Sequence, residues 1–106
     1  EYLYNINSET PLYIKLGPNG FAKVQYVPWF GDLAVSLGVS TIASDDQDID
    51  EQISNSLILG PGEKRIVGRK MFGSVMTISG QHLSVENRDG RLVLKDLNST
   101  NGTLVR

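Results

Sequence analysis

The 106-residue chain is predicted to be all-β, an antiparallel β-sandwich whose strands are joined by short hairpins. Three observations predict it. Apolar and polar residues alternate over short runs, the period of a strand, and no stretch sustains a helical period. Turn signals recur at short intervals: Gly17-Pro18-Asn19-Gly20, Pro28, Gly31-Asp32, Pro61-Gly62, Asp89-Gly90 and Asn101-Gly102. The length suits one modest core and not two, so residues 1–106 are read as a single domain.

Taken in order, residues 12–16 (LYIKL) form a strand, and residues 21–27 return from a hairpin around Asn19-Gly20. Pro28 ends that strand. Trp29 and Phe30 read as core aromatics or a lid, with the core favoured because large aromatics dominate burial. Residues 33–37 make the next strand. Residues 41–52 hold five carboxylates between Asp45 and Glu51, and read as an exposed acidic loop or a short capped turn. Residues 56–59 and 65–67 flank Pro61-Gly62 and are expected to pair as a hairpin. Leu83-Ser84-Val85-Glu86 has the alternation of a half-buried strand. Asp89-Gly90 is a type I′ hairpin signal, since that turn needs positive φ at both central residues. Leu92-Val93-Leu94 then returns, and Asn101-Gly102 reads as a second hairpin.

Composition narrows the function. There are no cysteines, which excludes disulfides and thiolate chemistry. No apolar run approaches a membrane span, so no membrane insertion is expected. The net charge is −2, against the basic footprint of a nucleic-acid binder. Its distribution is uneven: residues 1–52 carry eight acidic and two basic residues, residues 53–106 four acidic and eight basic. The second part is therefore the half suited to an anion. Asp46, Asp48 and Asp50 have the spacing that opens a calcium loop, but Glu51 stands where glycine is required and Leu57 where the bidentate glutamate belongs. With a single histidine, His82, zinc is not indicated, and no cofactor is expected. Ser79, His82 and Asp96 are the residue types of a hydrolytic triad, yet nothing marks a strained elbow that would present Ser79.

Gly68-Arg69, then Ser79-Gly80-Gln81-His82, then Ser99-Thr100-Asn101-Gly102-Thr103 occur in that order with strand-like runs between them. Together they resemble the forkhead-associated (FHA) domain, an FHA/SMAD-like β-sandwich that binds phosphothreonine peptides without catalysis. The resemblance covers roughly residues 56–106, the motif-bearing core. It implies recognition loops at one end and a phosphothreonine-containing protein or peptide as partner, in the cytoplasm or the cytoplasmic part of a larger protein. The family's sandwich continues past the Asn-Gly-Thr motif through a further hairpin. Residues 30–38 loosely resemble that missing piece, which implies a circular permutation in which residues 12–40 supply the strands usually C-terminal; the competing reading is that those strands lie beyond Arg106 or come from another chain.

The chemistry fits the implied ligand. A phosphothreonine carries a charge near −2 and three strong acceptor oxygens. Arg69 offers a guanidinium fork that a lysine cannot match, and Lys70 adds charge beside it. Ser79 and Thr100 offer hydroxyls, and Gly80 a backbone N–H. Asn101 has a primary amide that can grip the ligand backbone. Gly68, His82 and Gly102 are expected to support the loops. Gly80 stands where the family often has Arg or Asn, so the alternative is a phosphate-independent interaction domain of the same fold.

Overall fold

A computed structural model describes residues 2–6, 9–42, 49–73 and 76–105. Nine strands follow one another: β1 (Tyr2–Asn5), β2 (Leu12–Leu16), β3 (Gly20–Val27), β4 (Asp32–Ile42), β5 (Ile49–Leu59), β6 (Lys64–Val67), β7 (Leu83–Arg88), β8 (Arg91–Asp96) and β9 (Thr103–Val105). One short 3-10 turn, Arg69–Phe72, interrupts them. The strands form two antiparallel sheets, in the orders β1-β8-β7-β6 and β5-β4-β3-β2-β9. The expected antiparallel β-sandwich is the fold.

The core lies between the sheets. One sheet contributes Ile14, Leu16, Val24, Val35 and Leu37, and the other Leu83, Val85, Leu92 and Leu94, all buried. Each comes from alternate strand positions, as the pleat requires. β7 departs from simple alternation, since Ser84 and Asn87 are buried along with Leu83 and Val85. Its expected half-buried pattern is thus only partly met. The Asp89-Gly90 hairpin is as expected: φ is 54° and 82° at its two residues, and Arg88 faces Arg91.

Two other expected hairpins are not hairpins. β5 belongs to the five-stranded sheet and β6 to the four-stranded one, so Pro61-Gly62 crosses between sheets. The crossing is held by hydrogen bonds to β7: Gly62 N–H donates to Asn87 O at 2.8 Å, and Asn87 N–H to Glu63 O at 2.9 Å. The fully buried Asn87 side chain ties the same end together, donating to Gly31 O at 2.8 Å and Leu59 O at 2.9 Å and accepting from Gly90 N–H. Asn101-Gly102 likewise leads from β8 to β9 in the opposite sheet. Of that pair Gly102 has positive φ, at 81°, and the other residue with positive φ in this loop is Asn98, at 60°. The residues at the 12–27 hairpin also shift by a little. Leu16 pairs with Gly20, and the positive φ of 67° falls on Gly17.

Trp29 and Phe30 are not core residues. They sit at the tip of the β3–β4 hairpin, 83% and 74% exposed, beyond the last strand pair, Val27 with Asp32. Phe21 takes the burial instead. It lies stacked on Tyr13 on the outer face of its sheet, ring centroids 5.6 Å apart, and packs over Gly38. Nor are residues 41–52 simply a loop: β4 and β5 extend as a paired ribbon out to Ile42 opposite Ile49. Asp46 and Asp48 of the calcium-like spacing lie outside the described residues. The ribbon kinks between Leu37 and Gly38, where the extra residue, Ser54, directs its hydroxyl at the carbonyls of Leu37 (3.3 Å) and Met71 (3.2 Å). A bulge thereby ties the ribbon to the 3-10 turn that carries Arg69.

The N-terminal strands flank the motif-bearing half in both sheets. β1 pairs with β8, and β2 with β9. Residues 30–38 lie mainly in β4, in the same sheet as β9 but separated from it by β3 and β2.

Candidate functional site

Three segments meet at the end of the sandwich where β7 begins. They are the connection from Gly68 to His82, the loop from Leu97 to Gly102, and the β2–β3 turn at Gly17. Hydrogen bonds join them. Arg69 N–H donates to Ser79 O at 3.0 Å, Gly17 N–H to Gly102 O at 3.1 Å, and Leu97 N–H to His82 O at 2.9 Å.

Gly68 is required by a close approach. A Cβ there would lie 1.9 Å from the carbonyl oxygen of Gly80, closer than any side chain tolerates. The glycine thus lets the two ends of the 68–82 connection touch, and Arg69 follows directly at the start of the 3-10 turn. Its Nε–H donates to Ile78 O at 2.9 Å. This bond fixes the plane of the guanidinium, and the two terminal nitrogens have no hydrogen bond among the described residues. Lys70, next on the turn, is exposed.

Ser79 receives contacts from both sides. Its Oγ accepts the Thr100 N–H at 3.0 Å, which leaves the hydroxyl proton free to donate. Asn101 Nδ2 donates to Thr77 O at 2.9 Å. Arg69 and Asn101 therefore bond to the adjacent carbonyls of Ile78 and Thr77, and the three motifs share one rim. The Asn101 amide is committed to the loop through its nitrogen, and its oxygen makes no hydrogen bond among the described residues. Thr100 and Asn101 are exposed, as is Gly80, where an added Cβ would meet nothing within 4 Å. Thr77 Oγ1, buried beneath them, has no partner among the described residues.

His82 is fully buried and serves as the fastener. Its Nδ1 accepts the Ser79 N–H at 3.2 Å, so the ring proton sits on Nε2, which donates to Gly102 O at 2.8 Å. Both ring nitrogens are occupied by backbone groups, and neither faces the Ser79 hydroxyl. The arrangement is not a proton relay. Asp96 makes no hydrogen bond to the ring. Its Oδ1 accepts from Ser99 Oγ and Thr103 Oγ1, both at 2.7 Å, and its Oδ2 from Ser99 N–H at 3.1 Å. Desolvation acts to raise the Asp96 pKa, but the hydrogen bonds from Ser99 and Thr103 outweigh it and hold the carboxyl below its ordinary value. Among the described residues no group of histidine and acidic side chains is arranged to hold a metal ion.

Sequence reasoning placed Arg69, Ser79, Thr100 and Asn101 at one site, and the structure brings them together. It missed Asp96 and Thr103 as the residues that brace the 97–102 loop, and Gly17 and Thr77 as its docking points. The signal for the first pair is an acid followed at three and seven positions by hydroxyl residues, a spacing with the reach of an Asx-type turn.

Comparison with known families agrees with this geometry. The FHA domain family model matches residues 66–106, the segment holding all three motifs. FHA domains are phosphopeptide-binding modules of protein–protein interaction and are generally non-catalytic. No curated protein and no solved structure matches the chain. Among the described residues no helix is long and apolar enough to cross a membrane.

Proposed function

We propose that the rim formed by Arg69, Ser79, Thr100 and Asn101 binds a phosphothreonine-containing segment of a partner protein, without catalysis, for signalling or regulated assembly. The observation that carries this reading is the fixing of Arg69. Its Nε is spent on the Ile78 carbonyl, which restrains the guanidinium plane and supports a role for the two terminal N–H₂ groups as a preset anion fork. Ser79 Oγ–H and the N–H of Gly80 supply further donors, and Lys70 adds charge. The free oxygen of Asn101 accepts a backbone N–H of the ligand, and loop bracing by His82 keeps the donors in place before the ligand arrives.

The chain order also belongs to this proposal. β2 and β1 supply neighbours to β9 and β8, the strands flanking the Asn-Gly-Thr motif. We read the domain as a circularly permuted FHA sandwich in which residues 12–40 complete the sheet that the family-matched segment leaves open.

The test is a titration of phosphothreonine peptides against unphosphorylated controls. Arg69→Ala is expected to weaken phosphopeptide binding by about a hundredfold, since truncating one partner of a hydrogen-bonded charge pair costs about 2–5 kcal/mol. Arg69→Lys restores charge but not the fork, and recovers only a fraction. Gly80 lacks the Arg or Asn side chain that the family resemblance leads one to expect at this position, which favours a second reading in which the fold binds its partner independently of phosphate. Equal binding of both peptide forms would establish that reading and sink the first.

A further inference from the structure

The two sheets do not close on both sides. On one side β1 is the outer strand of the four-stranded sheet and β9 that of the five-stranded sheet. Between them opens a cleft of about 240 Å³. Leu83, Leu94 and Val105 line it with apolar side chains, and Tyr2 and Tyr4 line it with aromatic rings. Asp96 and Thr103 also line it, so a space of mixed apolar, aromatic and hydroxyl character carries one carboxylate. That carboxylate is held in its charged form by Ser99 and Thr103.

We propose that this cleft takes a lysine or arginine side chain of the same phosphothreonine-containing segment, as a second anchoring point beside the phosphate rim. The proposal rests on the phosphopeptide reading above. Two observations choose the occupant. The first is charge: a cleft lined by apolar side chains, two tyrosine rings and one carboxylate complements a long methylene stem ending in a cation, which buries the stem and keeps the head at the carboxylate and ring faces. A leucine would leave the Asp96 charge facing apolar surface, and an acidic side chain would meet it with like charge. The second is continuity: Ser99, which donates to Asp96, adjoins Thr100 on one loop, so the loop that carries Thr100 of the rim also holds the carboxylate that lines the cleft. A ligand with a phosphate at one point and a cation at another would match a site with Arg69 and Lys70 at one end and Asp96 at the other.

The experiment uses the intact chain and phosphothreonine peptides in which Lys, norleucine, Leu or Glu is scanned through the positions on either side of the phosphothreonine. The expected result is one position where Lys binds about five- to tenfold tighter than Glu, with norleucine between them, the size expected of one exposed ion pair plus one cation–π contact. Asp96→Asn should remove the preference for Lys over norleucine. Because Asp96 also braces the loop, Tyr4→Leu is the companion variant: it should lower the ratio of Lys-peptide to norleucine-peptide affinity, and an unchanged ratio would count against the cation–π contact. Ring resonances of Tyr2 and Tyr4 should shift with the Lys peptide. Phosphate-dependent binding with no preferred Lys position would overturn this inference and spare the rim. Binding indifferent to phosphate would overturn both.

Discussion

A carboxylate that accepts three hydrogen bonds from one loop, as Asp96 does from Ser99 and Thr103, stabilises that loop only while it is ionised. Its pKa is lowered in the folded protein, so the unfolded chain takes up the proton first as pH falls. The contribution is complete above the ordinary carboxylate value of about 3.9 and is lost as pH drops through the lower folded-state value. Thermal melts of the wild type and Asp96→Asn should therefore differ at neutral pH and begin to draw together only as pH falls below about 4, towards the folded-state value; a constant difference would contradict the role given to Asp96. This brace was hard to read from sequence. Arg69, Ser79 and Asn101 stand in motifs whose order and spacing point to one site, whereas Asp96 acts through neighbours on an irregular loop, where no period constrains which side chains meet. The aromatic pair Trp29-Phe30 misled for a related reason, because composition reports an apolar residue but not whether the chain has passed its last strand pair.

At the level of elements, the two glycines of the recognition connection have opposite requirements. At Gly68 a Cβ would collide with the Gly80 carbonyl, and at Gly80 itself it would meet open space. Gly68→Ala is expected to force the 68–82 connection apart, at a cost of about 2–4 kcal/mol in unfolding free energy, the range of a strained core or backbone site. Gly80→Asn or Gly80→Arg should leave stability within about 0.5 kcal/mol and, by adding a donor beside the rim, tighten phosphopeptide binding. Denaturant titration and a binding isotherm on the same variants separate the two effects. Strand positions were legible because alternation and turn residues are local. Which strands share a sheet was not: Pro61-Gly62 and Asn101-Gly102 have hairpin chemistry, but a loop that crosses between sheets uses the same residues, and the choice is made by distant partners such as Asn87.

For the molecule as a whole, the segment that carries the family motifs cannot bury its own surface. Residues 56–106 contain one edge of the core, while β2, β3 and β4 provide Ile14, Leu16, Val24, Val35 and Leu37 on the facing sheet. A fragment of residues 49–106 is expected to lack cooperative unfolding and dispersed amide resonances, although it includes every residue of the family match; a folded fragment would show that the N-terminal strands are dispensable. The completed sandwich has two unlike ends. His82 fastens the recognition loops where β7 starts, and Asn87 fastens the β3–β4 tip and the Asp89-Gly90 hairpin where it finishes. Trp29, the single tryptophan, lies at that far tip and is 83% exposed. Its indole is already in water in the native protein and far from any bound ligand, so intrinsic fluorescence will change little on either denaturation or complex formation. The far-ultraviolet strand signal, or a dye attached near Lys70, is the probe to follow instead.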